Sequence, residues 1–123
     1  MIILDGKSLT LESLKSIARD DEKVGISASS KILVDKASSF VSKVSKQDLP
    51  VYGINTGFGK LSSIIIEKNQ VDQLQINLLM SHACGMGEPL PCDVVRGMMA
   101  LRINALVKGY SGIRLCTIEK MVE

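Results

Sequence analysis

Tyr52, Asn55 and Thr56 lie within nine residues, Val51-Tyr52-Gly53-Ile54-Asn55-Thr56-Gly57-Phe58-Gly59, that also hold three of the ten glycines. A phenol, an amide and a hydroxyl so close together make this stretch the part of the chain best suited to present polar side chains. The glycines argue against a helix, since each costs about 1 kcal/mol relative to alanine in a helix interior. They permit positive φ and close approach of the backbone to a ligand or another segment. Taken alone, the stretch also fits an ordinary glycine-rich connection between helices.

Two phosphate-binding motifs come near this stretch and fail. In Gly59-Lys60-Leu61, Leu61 occupies the place where a P-loop needs Ser or Thr for magnesium, and Ile54 stands where its first glycine belongs. A dinucleotide fingerprint fails too, because no strand, GxGxxG and helix follow in order. Further along, Ser81-His82-Ala83-Cys84-Gly85 carries the one histidine. His82 can act as a base or bind a substrate near neutral pH, or it can serve the C-terminal end of a helix electrostatically. Cys84 lacks a partner set for nucleophilic catalysis. Asn104 sits inside an apolar helix and needs hydrogen-bond partners there. Arg114 is placed for the first turn of the last helix, where it could hold a carboxylate bidentately or brace the fold.

These residues need a scaffold, and composition says which kind. The chain has 123 residues, enough for one domain with its own core. It is 46% hydrophobic but only 3% aromatic, so the core is aliphatic. Mean hydropathy of +0.22 suits a helical chain that seeks further apolar partners. A net charge of +2, with scattered lysines, gives no sign of a nucleic-acid or membrane partner. Three cysteines without CxxC spacing and a single histidine predict no metal site. They read as reduced thiols in a cytoplasmic protein.

The patterning predicts a mainly α-helical domain over 1–123, with one or two short N-terminal β-strands and the glycine-rich loop between helices. Ile2-Ile3-Leu4 reads as a strand and Thr10 as the cap of a helix carrying Leu11, Leu14, Ile17 and Ala18 on one face. Val24-Gly25-Ile26 reads as a second strand. Ser27 caps a helix over 28–44 whose apolar stripe is Ile32, Leu33, Ala37, Phe40, Val41 and Val44. A third helix is expected over about 67–84, with Val71, Leu74, Leu78 and Met80 inward. Pro91 opens a fourth that runs to about Lys108 and is apolar around most of its circumference, hence buried on several sides. Ser111 is expected to cap a last helix from Gly112 onward. That helix meets Val122-Glu123 without a stop signal, so the chain reads as part of a longer or split protein.

The ordered set Tyr52 to Gly59, Ser81 to Gly87, Arg102 to Leu106 and Gly109 to Arg114 resembles the N-terminal part of the aromatic amino acid lyase family. Ser81-His82 resembles its histidine-selective branch, the histidine ammonia-lyases. The resemblance implies a mainly helical homotetramer that converts L-histidine to trans-urocanate and ammonia. It implies a methylidene-imidazolone electrophile formed from an internal Ala-Ser-Gly, Tyr52 as the base for the β-proton, and His82 as a contact for the substrate imidazole. Gly53, Asn55, Thr56, Gly57 and Gly59 would then form the lid carrying Tyr52. A tyrosine ordinarily ionises at about pH 10, so such a base depends on the electrophile to acidify the β-proton. No Ala-Ser-Gly occurs here: Ala28-Ser29-Ser30 fails at the third position and Tyr110-Ser111-Gly112 at the first. These 123 residues are therefore expected to be inactive by themselves. The rival reading is a non-catalytic helical association module or split-enzyme subunit; an aminomutase is a third, against which Ser81-His82 argues.

Overall fold

The Thr10 hydroxyl accepts the Ser13 N–H at 3.2 Å and so starts the first helix, α1 (Leu11–Arg19). The cap satisfies one of the donors that a helix N-terminus leaves without an internal partner. The structure, a computed structural model, describes residues 1–47, 49–57, 59–61, 63–67 and 70–123. Phe58 of the glycine-rich stretch, Lys68 and Asn69 of the expected third helix, and the Val71 side chain lie outside what is described.

The chain packs as two compact units, Met1–Phe40 with Pro89–Glu123, and Val41–Glu88. In the first unit β1 (Ile2–Leu4) pairs in parallel with β2 (Val24–Ile26), placing Leu4 opposite Ile26. Parallel strands need a crossover, and α1 provides it. The second helix, α2 (Ala28–Val44), starts where predicted, with the Ser27 hydroxyl accepting the Ser30 N–H at 3.1 Å. After the loop come α3 (Val71–His82), α4 (Cys92–Leu106) and α5 (Leu115–Val122). Leu4, Ile17, Val34, Ala100, Ile103, Leu106, Val107 and Ile118 form the aliphatic core. Among the described residues no helix is long and apolar enough to cross a membrane.

Four sequence expectations change. In α2 the buried residues are Ser30 and Val34, while Ile32, Leu33 and Phe40 are exposed. Small Ser30 packs tightly inside, and polarity alone did not reveal this. In α4 only Ala100, Ile103 and Leu106 are buried, and Val94, Val95, Met98, Met99 and Leu101 are exposed. One face suffices for the core, so the helix is not surrounded. Met80 on α3 is exposed rather than inward. Finally, α5 begins at Leu115 with Arg114 as its N-cap and no side-chain cap, so Ser111 does not start it. Positive φ at Gly109 and Gly112 keeps that approach segment out of the helix.

One amide and one glycine brace the first unit. The half-buried Asn104 amide oxygen accepts the Gly6 N–H at 3.0 Å, tying α4 to the turn after β1. Gly109, at φ +76°, lies so close to α2 that a Cβ would come within 2.9 Å of the Leu33 backbone.

Candidate active-site loop and helix-end histidine

The residues from Val51 to Asn55 form a closed turn. The Val51 carbonyl accepts the Ile54 N–H at 3.0 Å and the Asn55 N–H at 3.3 Å. Tyr52 and Gly53 occupy the two central positions, and Gly53 has φ +76°. A turn with this hydrogen bond and positive φ at its third residue is of type II, which favours glycine there. Gly53 is thus required by the turn, and the turn sets Tyr52 on its outer side with 63% of its surface exposed.

Asn55 and Thr56 behave differently from Tyr52. They are 4% and 1% exposed, so they do not present their side chains to solvent. The Asn55 amide oxygen accepts the Val51 N–H at 2.7 Å. Its NH2 donates to the carbonyls of Gln47 at 3.2 Å and Leu49 at 2.9 Å. The Thr56 hydroxyl donates to the Gly57 carbonyl at 3.0 Å, and Thr56 forms an antiparallel bridge with Ile65. Gly57 N–H to Ile64 carbonyl, at 3.2 Å, and Ile66 N–H to Asn55 carbonyl, at 2.9 Å, flank that bridge. Gly57 is buried, and Gly59, at φ +57°, opens a 3-10 turn over Gly59–Leu61. The polar residues other than Tyr52 therefore build the loop.

A shallow hollow of about 490 Å³ beside Tyr52 is lined by Pro50, Tyr52, Gly59 and Ser63. Pro50 and Ser63 were not singled out in the sequence. Pro50 adjoins the loop and could have been found from that proximity, whereas nothing around Ser63 marks it. His82 is not among the residues of that hollow.

His82 is the exposed last residue of α3. Its Nδ1 lies 3.0 Å from the Leu78 carbonyl and 2.9 Å from the Ser81 hydroxyl. The Ser81 hydroxyl itself donates to the Leu78 carbonyl at 2.8 Å. A carbonyl only accepts, so the proton belongs on Nδ1. That leaves Nε2 as the ring nitrogen offered to a ligand. The pairing of Ser81 with His82 has a physical role here, since the hydroxyl helps fix ring and tautomer.

Among the described residues no group of three or more His, Cys, Asp or Glu could hold a metal. Cys84, Cys92 and Cys116 are free and exposed.

The mainly helical chain with its parallel strand pair has known relatives. The aromatic amino acid lyase family model matches residues 9–123, and the chain belongs to that family. It is 45% identical over 122 residues to the histidine ammonia-lyase of Caldanaerobacter subterraneus subsp. tengcongensis, covering 99% of this chain and 24% of that protein. It superposes on the crystal structure of histidine ammonia-lyase from Trypanosoma cruzi with TM-score 0.87 at 40% identity, over 98% of this chain and 23% of that one. The tyrosine aminomutase of Streptomyces globisporus matches with TM-score 0.90 at 30% identity, again over 98% and 23%. The chain thus spans about a quarter of the length of the relatives it matches.

Proposed function

We propose that these residues serve as the N-terminal portion of a histidine ammonia-lyase, which converts L-histidine to trans-urocanate and ammonia. The observation that carries this reading is the 45% identity to a histidine ammonia-lyase across 122 residues, a span that takes in both Tyr52 and His82. In the reaction the β-carbon loses a proton, the Cα–Cβ double bond forms, and the amine leaves as ammonia. Tyr52 takes the β-proton, and its place on a turn projecting from the loop supports that role. His82 meets the substrate imidazole through Nε2, because Nδ1 is engaged with the Leu78 carbonyl. Gly53, Asn55, Thr56, Gly57 and Gly59 form the loop that carries Tyr52 over the substrate.

The family's methylidene-imidazolone withdraws electrons from the substrate. Residues 1–123 contain no Ala-Ser-Gly to form it, so they do not fit that group by themselves. The complete enzyme acts in this reading as a cytoplasmic homotetramer, with residues 1–123 one N-terminal domain of each subunit. The test is urocanate absorbance, with residues 1–123 assayed alone and together with a downstream lyase segment that supplies Ala-Ser-Gly. The pair is expected to produce urocanate, Tyr52→Phe to abolish it, and residues 1–123 alone to yield none. Robust turnover by residues 1–123 alone sinks the proposal.

A second reading, a non-catalytic association module built on the same scaffold, is favoured by one observation: the exposed apolar face of α4.

A further inference from the structure

We infer that Asn55 is the positioning residue for Tyr52, a staple whose amide fixes the turn without touching substrate. Five hydrogen bonds converge on Asn55. Its own N–H goes to the Val51 carbonyl at 3.3 Å, and its carbonyl accepts the Ile66 N–H at 2.9 Å. Its side chain holds the Val51 N–H, the Gln47 carbonyl and the Leu49 carbonyl at 2.7, 3.2 and 2.9 Å. Val51 is therefore tied to Asn55 through both its N–H and its C=O, which closes residues 51–55 into a ring with Tyr52 inside it. With 4% exposure the Asn55 amide is shielded from water, so water cannot readily take over these bonds.

The two sides of the amide do different work, and this makes the assignment specific to asparagine. The oxygen must accept one backbone N–H, and the NH2 must donate to two backbone carbonyls. A carboxylate at this position keeps the first bond but turns a lone pair toward two carbonyl oxygens. Only its protonated form restores a donor. Any movement of the Tyr52 loop in catalysis then carries residues 51–55 as one preformed piece, with bending placed outside the ring.

The consequence for activity rests on the lyase reading, whereas the staple does not, and the experiment separates them. Amide hydrogen exchange by NMR on Asn55→Ala is expected to lower protection of the Val51 and Ile54 amides by about tenfold, the scale set by one net hydrogen bond. Protection of Ile103 and Val107 in the other unit should not change. Asn55→Asp, which keeps the Val51 N–H bond but loses both donations, is expected to lower Val51 protection less than alanine does at neutral pH and to lower Ile54 protection. Both are expected to recover, corrected for intrinsic exchange, as acid protonates the new carboxyl. With the downstream segment present, Asn55→Ala should lower kcat by up to about 100-fold, the scale of a misplaced catalytic group, with a much smaller change in KM. Unchanged Val51 and Ile54 protection in both variants overturns the staple, as does an equal loss in both units. Wild-type protein that makes no urocanate in this setting overturns the lyase reading, while the exchange data still decide the staple.

Discussion

The Arg96 guanidinium donates to the Ile17 carbonyl through both Nε and Nη2, at 3.1 and 2.9 Å. Its Nη1 meets Asp21 Oδ1 at 3.0 Å. One side chain from α4 thus closes the C-terminal end of α1, where carbonyls lack intrahelical partners. It also holds Asp21, which has φ +54° although it is not glycine. Arg96→Met should destabilise the first unit by about 2 kcal/mol, the cost of leaving a shielded acceptor unsatisfied and losing charged hydrogen bonds. Arg96→Lys should recover only part of this, because one ammonium cannot span both acceptors. Thermal unfolding followed by far-UV circular dichroism measures it; a lysine variant as stable as wild type refutes the bidentate account.

Gly53 and Gly109 share φ +76° but differ in surroundings. A Cβ at Gly53 meets nothing within 4 Å, whereas at Gly109 it would press on the Leu33 backbone. Gly53→Ala should therefore cost about 1–2 kcal/mol, the left-handed penalty alone. Gly109→Ala adds overpacking of about 1–3 kcal/mol to the same penalty. Urea midpoints for the two variants give the ordering, and a Gly53 variant that is the less stable one contradicts it.

The Asp5 carboxylate accepts the Lys7 and Ser8 N–H groups, both at 2.8 Å. The Ser8 bond first, then the Lys7 bond, hold its pKa below the ordinary 3.8. A depressed folded pKa means that the stabilisation is complete above the unfolded value and is lost as pH falls through the folded one. Asp5→Ala should thus lower Tm at pH 7, with the gap from wild type closing as pH drops from about 4 toward 2. Glu12 and Glu22 also have lowered pKa values, but they are common to both proteins and cancel in the difference. A gap that stays constant over that range contradicts the assignment.

The starts of α1, α2 and α4 were legible because local chemistry sets them, unlike those of α3 and α5. Thr10 and Ser27 accept their helices' first N–H groups, and Pro91 precedes α4 as expected of a residue without an N–H. The face that a helix buries was less legible. In α2 both Ser30–Val34 and Ile32–Leu33–Phe40 follow helical spacing, and tertiary packing chose the first. The site divides in the same way. Tyr52 on a glycine turn could be read from residue types, while Asn55 and Thr56 looked like presented groups. Their burial follows from backbone acceptors brought together by the fold, which residue types do not reveal.

Val94, Met98 and Leu101 recur at helical spacing on α4, and they line a shallow groove against Leu11 of α1. Met98 and Leu101 keep 57% and 51% of their surface exposed. Apolar side chains gathered this way mark an interaction surface more often than an isolated one does. Across the groove Arg19 Nε lies 3.3 Å from Asp93 Oδ2, so the rim is polar while the floor is not. Association through this face should be weakened by Met98→Lys with Leu101→Lys, since burying an ammonium without a partner is costly. The same changes should alter the Tm of the dissociated protein by no more than about 0.5 kcal/mol equivalent, as for exposed positions generally. Multi-angle light scattering over a concentration series tests both association of residues 1–123 with themselves and capture of the downstream lyase segment. Wild type that stays monomeric and captures no segment removes the role of this face; a double variant that associates as well as wild type moves the interface elsewhere.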